Sequence, residues 1–148
     1  MLFMKVFLGA DHAGFRAKEE LKKFLLGRKA EFEDLGTYSN ESCDYPDYAL
    51  KVARKVAKTK GSLGLLVCGT GTGTSMTANK VKGIRSAQAT GAYMARMARE
   101  HNNANILSMG SRLNSNREIV RMAGVFISTP FSNEKRHMRR VKKINNAK

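Results

Sequence analysis

The sequence predicts an α/β protein, a three-layer α/β/α sandwich around a five-stranded parallel sheet of the Rossmann-like kind, closed by a C-terminal helical tail. Three observations predict it. Short apolar runs of strand length alternate with longer segments whose apolar residues recur at helical spacing. The run over residues 63–68 is almost wholly apolar, as expected of a strand whose two faces are both covered by helices. At 148 residues and 42% hydrophobic content, the chain has the material for one core and one domain, residues 1–148.

Residues 5–9 read as a buried strand and 11–14 as a loop. A helix follows over 15–26, where Ala17, Leu21, Phe24 and Leu25 form an apolar stripe. A polar-flanked strand covers 30–35, and residues 36–46, rich in Ser, Asn, Asp and Gly, form the longest loop. Residues 48–58 are helical, with Ala49, Val52, Ala53 and Val56 on one face. After the strand at 63–68 come a helix over about 74–80, a strand over 84–89 and a helix over 92–100. A strand at 106–110 and a helix at 117–127, with Ile119, Met122, Ala123 and Phe126 inward, complete an alternation that implies a parallel sheet. Beyond the break at Pro130, residues 134–146 form a basic tail helix. Its thin stripe of Met138, Val141 and Ile144 suits packing on another subunit. Neither an internal repeat nor a low-complexity linker interrupts this order.

The formal net charge of +15, from 27 Lys and Arg against 12 Asp and Glu, attracts phosphates, nucleic acid or anionic lipid without choosing among them. Cys43 and Cys68 are far from any C-x-x-C spacing and there are only three histidines, so no metal site is expected. Two free thiols suit a reducing compartment. The apolar start at residues 1–4 is too short for a signal sequence, and no run approaches the ~18 residues of a membrane span, so a cytoplasmic location is expected.

Ligands of open parallel sheets bind beyond the carboxyl ends of the strands. Four clusters are expected there: Asp11-His12, the loop from Cys68 to Ser75, His101-Asn102, and Gly110-Ser111-Arg112. In the loop, an apolar strand ends on a thiol and opens into Gly69, Gly71 and Gly73, whose backbone N–H groups can turn toward one point. The spacing is not G-x-G-x-x-G, no acidic residue lies about 20 residues on, and no Gly-Lys-Ser/Thr follows, so neither dinucleotide nor nucleotide binding fits. A tight turn that merely needs glycines remains the plain alternative. No Asp or Glu occurs between Asp47 and Glu100, so a base acting from this loop is Cys68. A thiol of pKa about 8.5 is a poor base at neutral pH unless a helix N-terminus lowers that value. Read plainly, Cys68 is a small buried hydrophobe.

Six segments together resemble the B-type ribose-5-phosphate isomerases and the related galactose-6-phosphate isomerase subunits. They are residues 9–15 (GADHAGF), Asp44-Tyr45-Pro46, Cys68-Gly69-Thr70-Gly71, Asn79-Lys80 with Gly83-Ile84-Arg85, His101-Asn102 and Gly110-Ser111-Arg112. The resemblance runs nearly end to end. It implies interconversion of ribose 5-phosphate and ribulose 5-phosphate through an enediol, with no cofactor, in a homodimer whose sites lie between subunits; assembly into a tetramer stays open. Cys68 would move the proton from C2 to C1 and His101 would help open the sugar ring. Asp11 would act at ring oxygens and Thr70 by hydrogen-bonding the cysteine, while amides from Gly69 to Gly73, with Thr72 among them, hold the enediolate oxygen. His12, Arg136 and Arg140 would bind phosphate, with Asn102 and Arg112 as further contacts and Tyr45 lining the pocket. Arg136 and Arg140, four apart, share one helical face, which suits a phosphate clamp. Thr72 departs from the aliphatic residue usual in relatives, and Asn133-Glu134-Lys135 stands where relatives often carry glycines. The alternatives are a six-carbon substrate, galactose 6-phosphate or allose 6-phosphate, and, more remotely, a basic nucleic-acid-binding module that the charge would suit and the lack of a recognised motif does not.

Overall fold

The computed structural model describes residues 4–148. Five strands, β1 (Lys5–Ala10), β2 (Glu31–Asp34), β3 (Leu63–Cys68), β4 (Ser86–Gln88) and β5 (Ile106–Gly110), form one sheet in the order β2-β1-β3-β5-β4. Every neighbouring pair runs parallel. Six helices accompany them: α1 (Phe15–Gly27), α2 (Tyr45–Lys58), α3 (Thr72–Ala78), α4 (Ala92–Asn102), α5 (Asn116–Ser128) and α6 (Lys135–Asn145). The expected three-layer α/β/α architecture is present.

Period-two alternation in the strands divides the core between two faces. Val6, Leu8 and Ala10 of β1 with Leu63, Leu65 and Val67 of β3 pack under α1, α4 and α5, through Leu21, Leu25, Ala95, Ile119 and Phe126. Phe7 and Leu66 point the other way, into Ala49, Val52, Ala53 and Val56 of α2 and Ala78 of α3. Each fully buried Leu or Phe contributes about 1.5–3 kcal/mol of transfer free energy, so these two clusters hold the layers together. From β1 the chain leaves toward β2, whereas from β3 it leaves toward β4. The adjacent carboxyl ends of β1 and β3 therefore form the switch point of the sheet, the place where ligands of such folds bind.

Several boundaries differ from the sequence reading for local physical reasons. Helix α2 begins at Tyr45 rather than at residue 48, because Pro46 sits in the first turn, where no backbone N–H is needed. Helix α3 begins at Thr72, two residues early, because Gly71 at φ 81° turns the chain straight into it. Helix α4 continues to Asn102, so His101 is helical rather than in a loop. The edge strand β4 is three residues long, not six. Helix α6, expected to pack on a partner, docks on its own α4 through buried His137 and Val141.

One buried charge ties α1 to the end of β2. Lys18 has no solvent exposure, and its Nζ lies 2.6 Å from Asp34 Oδ2 and 3.1 Å from Glu19 Oε1, while Lys22 Nζ reaches Asp34 Oδ2 at 2.9 Å. Burial alone would raise the Asp34 pKa. Bonds from Lys18, from the Gly36 N–H and from Lys22 outweigh it and hold the carboxyl below its ordinary value of 3.8. A depressed carboxyl stabilises the fold above its unfolded pKa and loses that contribution as the pH falls through the folded value. Asp34→Asn is expected to cost about 2–3 kcal/mol in urea unfolding at neutral pH, because it takes from the buried Lys18 ammonium the nearer of its two carboxylates. The gap from the parent protein should close as the pH drops below 3.8.

Candidate active site

At the carboxyl end of β3 the chain folds back on itself in a turn only glycine allows. Gly71 is left-handed, and a Cβ there would stand 3.0 Å from the Met109 backbone. Across the turn, a Cβ on Gly110 would strike the Thr70 backbone at 2.7 Å. This close approach aims the Gly71 N–H at Cys68 Sγ, 3.1 Å away. Cys68 is 4% exposed, so the sulfur is buried beneath the loop. Helix α3 starts one residue beyond the turn, and its first intrahelical bond, Ser75 N–H to the Gly71 carbonyl, leaves the Gly73 and Thr74 amides without helical acceptors.

The hydroxyl beside the sulfur belongs to Thr74, not to Thr70 as expected. Thr74 Oγ1 lies 3.4 Å from Cys68 Sγ and 3.2 Å from the Gly71 carbonyl. With one hydrogen, it donates to that carbonyl while the thiol donates to it, and can turn to donate to a thiolate. Thr70 Oγ1 instead accepts from the Thr72 N–H at 3.3 Å.

Around this loop stand Asp11, His12, Tyr45 and Arg112. Asp11 is buried just beyond the end of β1, where its Oδ1 accepts from the Gly14 N–H at 3.1 Å, ahead of α1. His12 Nδ1 accepts from the Cys43 N–H at 3.2 Å, with Cys43 Sγ 4.0 Å away. The Tyr45 ring lies so close on Gly73 that any side chain there would collide with it. The Arg112 guanidinium lies against Gly69. Ser111 stitches the two sides of the switch point, its hydroxyl donating to the Ala13 carbonyl at 2.7 Å and its backbone N–H to the Cys68 carbonyl at 2.9 Å.

His101 and Asn102 are not in this group. They end α4 just before β5 begins, hence at the amino end of the sheet, and β5 alone separates the two ends by roughly 13 Å. The expectation that they join the carboxyl-end crevice of their own chain is corrected by the direction of α4, which runs antiparallel to the strands. There the His101 ring stacks on the His137 ring of α6 at 4.3 Å, tilted 33°. The same helix carries exposed Arg136 and Arg140, with Arg136 paired to Glu134 at 2.9 Å. Its far end is pinned by Arg85, which donates to Asn145 Oδ1 at 3.0 Å. The residues singled out in the sequence thus form two clusters: Asp11, His12, Tyr45, Cys68 to Gly73 and Arg112 at one end, and His101, Asn102, Arg136 and Arg140 at the other. Among the described residues, no group of three or more His, Cys, Asp or Glu gathers to hold a metal, and no helix is long and apolar enough to cross a membrane.

Cys43 lies outside the clusters expected from the sequence, and Thr74 and Ser111 fell inside them without an assigned role. Only Thr74 had a usable signal, sitting six residues beyond Cys68, one helical turn into α3.

A thiol at the switch point of a parallel sheet, with a backbone N–H on its sulfur, suits an α/β enzyme. Comparison with known proteins agrees. Residues 6–144 match the family described as Ribose/Galactose Isomerase, and the chain belongs to that family. It is 38% identical over 139 residues to ribose-5-phosphate isomerase B of Mycobacterium leprae, spanning 93% of this chain and 86% of that one. The structure superposes on ribose-5-phosphate isomerase B of Clostridium thermocellum with a TM-score of 0.92 at 46% identity, covering 96% of this chain and 95% of that one. It also superposes on the Mycoplasma genitalium enzyme with bound ribulose-5-phosphate at a TM-score of 0.93 and 37% identity, covering 98% and 96%.

His137 is 3% exposed, and its Nδ1 is 2.8 Å from Ser132 Oγ. Burial first, then the His101 ring and Arg136, hold its pKa below 6.5. The folded state therefore prefers the neutral ring, while the unfolded chain takes up a proton as the pH falls through 6.5. The stability this ring contributes is complete above that value and is lost between it and the lower folded value. The melting temperature should fall between about pH 7 and pH 5, and His137→Gln should flatten that slope.

Proposed function

We propose that this chain interconverts ribose 5-phosphate and ribulose 5-phosphate, with Cys68 as the base. The observation that carries the reading is the Gly71 N–H directed at a thiol at the switch point, in a chain of the ribose/galactose isomerase family. With the open-chain aldose bound, the Cys68 thiolate takes the proton from C2. The electron pair forms the C1–C2 double bond and the carbonyl electrons move onto O1, beside the amides of Gly69 to Gly73. The thiol then returns its proton to C1 while the O2 proton passes to O1, leaving the ketone at C2. A positioned base contributes about 10²–10⁴-fold and oxyanion donors about 10²–10³-fold. Asp11 acts at the ring oxygens and Thr70 shapes the loop beside the thiol. Tyr45 and Arg112 line the crevice.

The second cluster enters the reading through a second copy of the chain. A two-fold homodimer sets the carboxyl-end crevice of one copy against α4 and α6 of the other. That supplies His101 for ring opening, Asn102 as a further contact, and Arg136 and Arg140 with His12 for the phosphate. Such an interface is isologous and makes two identical sites. The thiol base and the free cysteines suit a reducing cytoplasm. A six-carbon sugar phosphate is the second reading, favoured because the matched family spans ribose and galactose isomerases.

Purified protein should convert ribose 5-phosphate in the presence of EDTA, and Cys68→Ala should lower kcat by about 10²–10⁴-fold; full activity in that variant removes the base. Faster turnover of allose 6-phosphate or galactose 6-phosphate would select the six-carbon reading. Mixing inactive Cys68→Ala and His101→Ala subunits tests the shared site. Half of the randomly paired dimers are mixed and each of those keeps one intact site, so about a quarter of the parent activity should return. No recovery would place both residues in one chain's site.

A further inference from the structure

Gln88 ends the short edge strand β4, and its amide reaches into the glycine loop. Nε2 donates to the Thr70 carbonyl at 3.0 Å and to Thr72 Oγ1 at 2.7 Å. A carbonyl can only accept, so the nitrogen end of the amide must face it. The Thr70 carbonyl and the Gly71 N–H belong to one planar peptide unit and point in opposite directions. One end of that unit is held by Gln88 and the other meets the Cys68 sulfur at 3.1 Å. A hydrogen bond to the carbonyl of a peptide polarises its N–H and strengthens the bond that N–H makes, most of all to an anion.

We propose that Gln88 is a positioning residue for Cys68. It fixes the 70–71 peptide plane with its N–H on the sulfur, and so favours the thiolate. Thr72 aligns the amide: its hydroxyl takes the second bond from Gln88, and its own N–H binds Thr70 Oγ1 at 3.3 Å. Gln88 does not touch the sulfur and acts only through the peptide between them. The consequence for turnover rests on the isomerase reading given above; the consequence for the thiol does not.

Gln88→Leu keeps the bulk and removes the donors. Thiolate is read from ultraviolet absorbance as the difference from Cys68→Ser, with circular dichroism checking that each variant is folded. The thiolate fraction at neutral pH should fall about threefold to tenfold in Gln88→Leu, the weight of one hydrogen bond, and kcat should fall in step while KM stays within about twofold. Thr72→Val, which keeps the bond to the Thr70 carbonyl, should lose about twofold or less, and adding it to Gln88→Leu should cost little more. A folded Gln88→Leu protein with the parent's thiolate fraction overturns the proposal. So does a Thr72→Val effect as large as that of Gln88→Leu. If the parent turns over no ribose 5-phosphate but its thiolate fraction still falls in Gln88→Leu, the isomerase reading fails and the role of Gln88 stands.

Discussion

The close backbone approach between the loop after β3 and the end of β5 is the constraint on which the rest of the site depends. Gly71 and Gly110 each leave room that a side chain would fill with a collision. Because they do, the Thr70–Gly71 peptide lies over the strand ends, its N–H faces the sulfur, and α3 starts at once. A methyl group at either position would push the loop off β5 and turn that N–H away from Cys68. The apolar core contributes indirectly, by fixing β3 and β5 side by side in a register that pairs Cys68 with Gly110.

Much of the fold was legible in the sequence because burial writes its own pattern. The wholly apolar β3 and the short β5, whose one polar side chain Ser108 is buried, were read at their observed limits, since a strand covered on both faces is apolar almost throughout. Edge strand β4 was overestimated because its flanks, Ile84 and Ala89, are apolar and buried in the core although the pairing covers only Ser86 to Gln88, with one further bond from the Ala89 N–H to the Ser108 carbonyl. The start of α2 was missed because a proline reads as a break when it can equally serve as the first turn of a helix.

The site was legible in its parts and not in its arrangement. Asp11, His12, Cys68 and the glycines announce themselves by residue type at strand ends. His101 and Asn102 carry the same kind of signal, yet position along the chain does not say at which end of the sheet a residue falls. That follows from the direction of α4, which reverses the chain between β4 and β5. Gln88 was invisible, and the bond of Thr74 to the thiol was not foreseen, for another reason. A threonine and a glutamine are chemically ordinary, and what distinguishes them here is a hydrogen bond across segments 6 and 18 residues apart.

The contact between His12 and Cys43 also bears on recognition of an anion. The Cys43 N–H occupies the Nδ1 lone pair, so a neutral imidazole at this position must carry its hydrogen on Nε2. In that tautomer the ring can only give, never take, at the nitrogen left for a ligand. A phosphate held there would meet a fixed donor whose direction is set by the Cys43 backbone. The guanidiniums would supply charge, and the imidazole would supply direction.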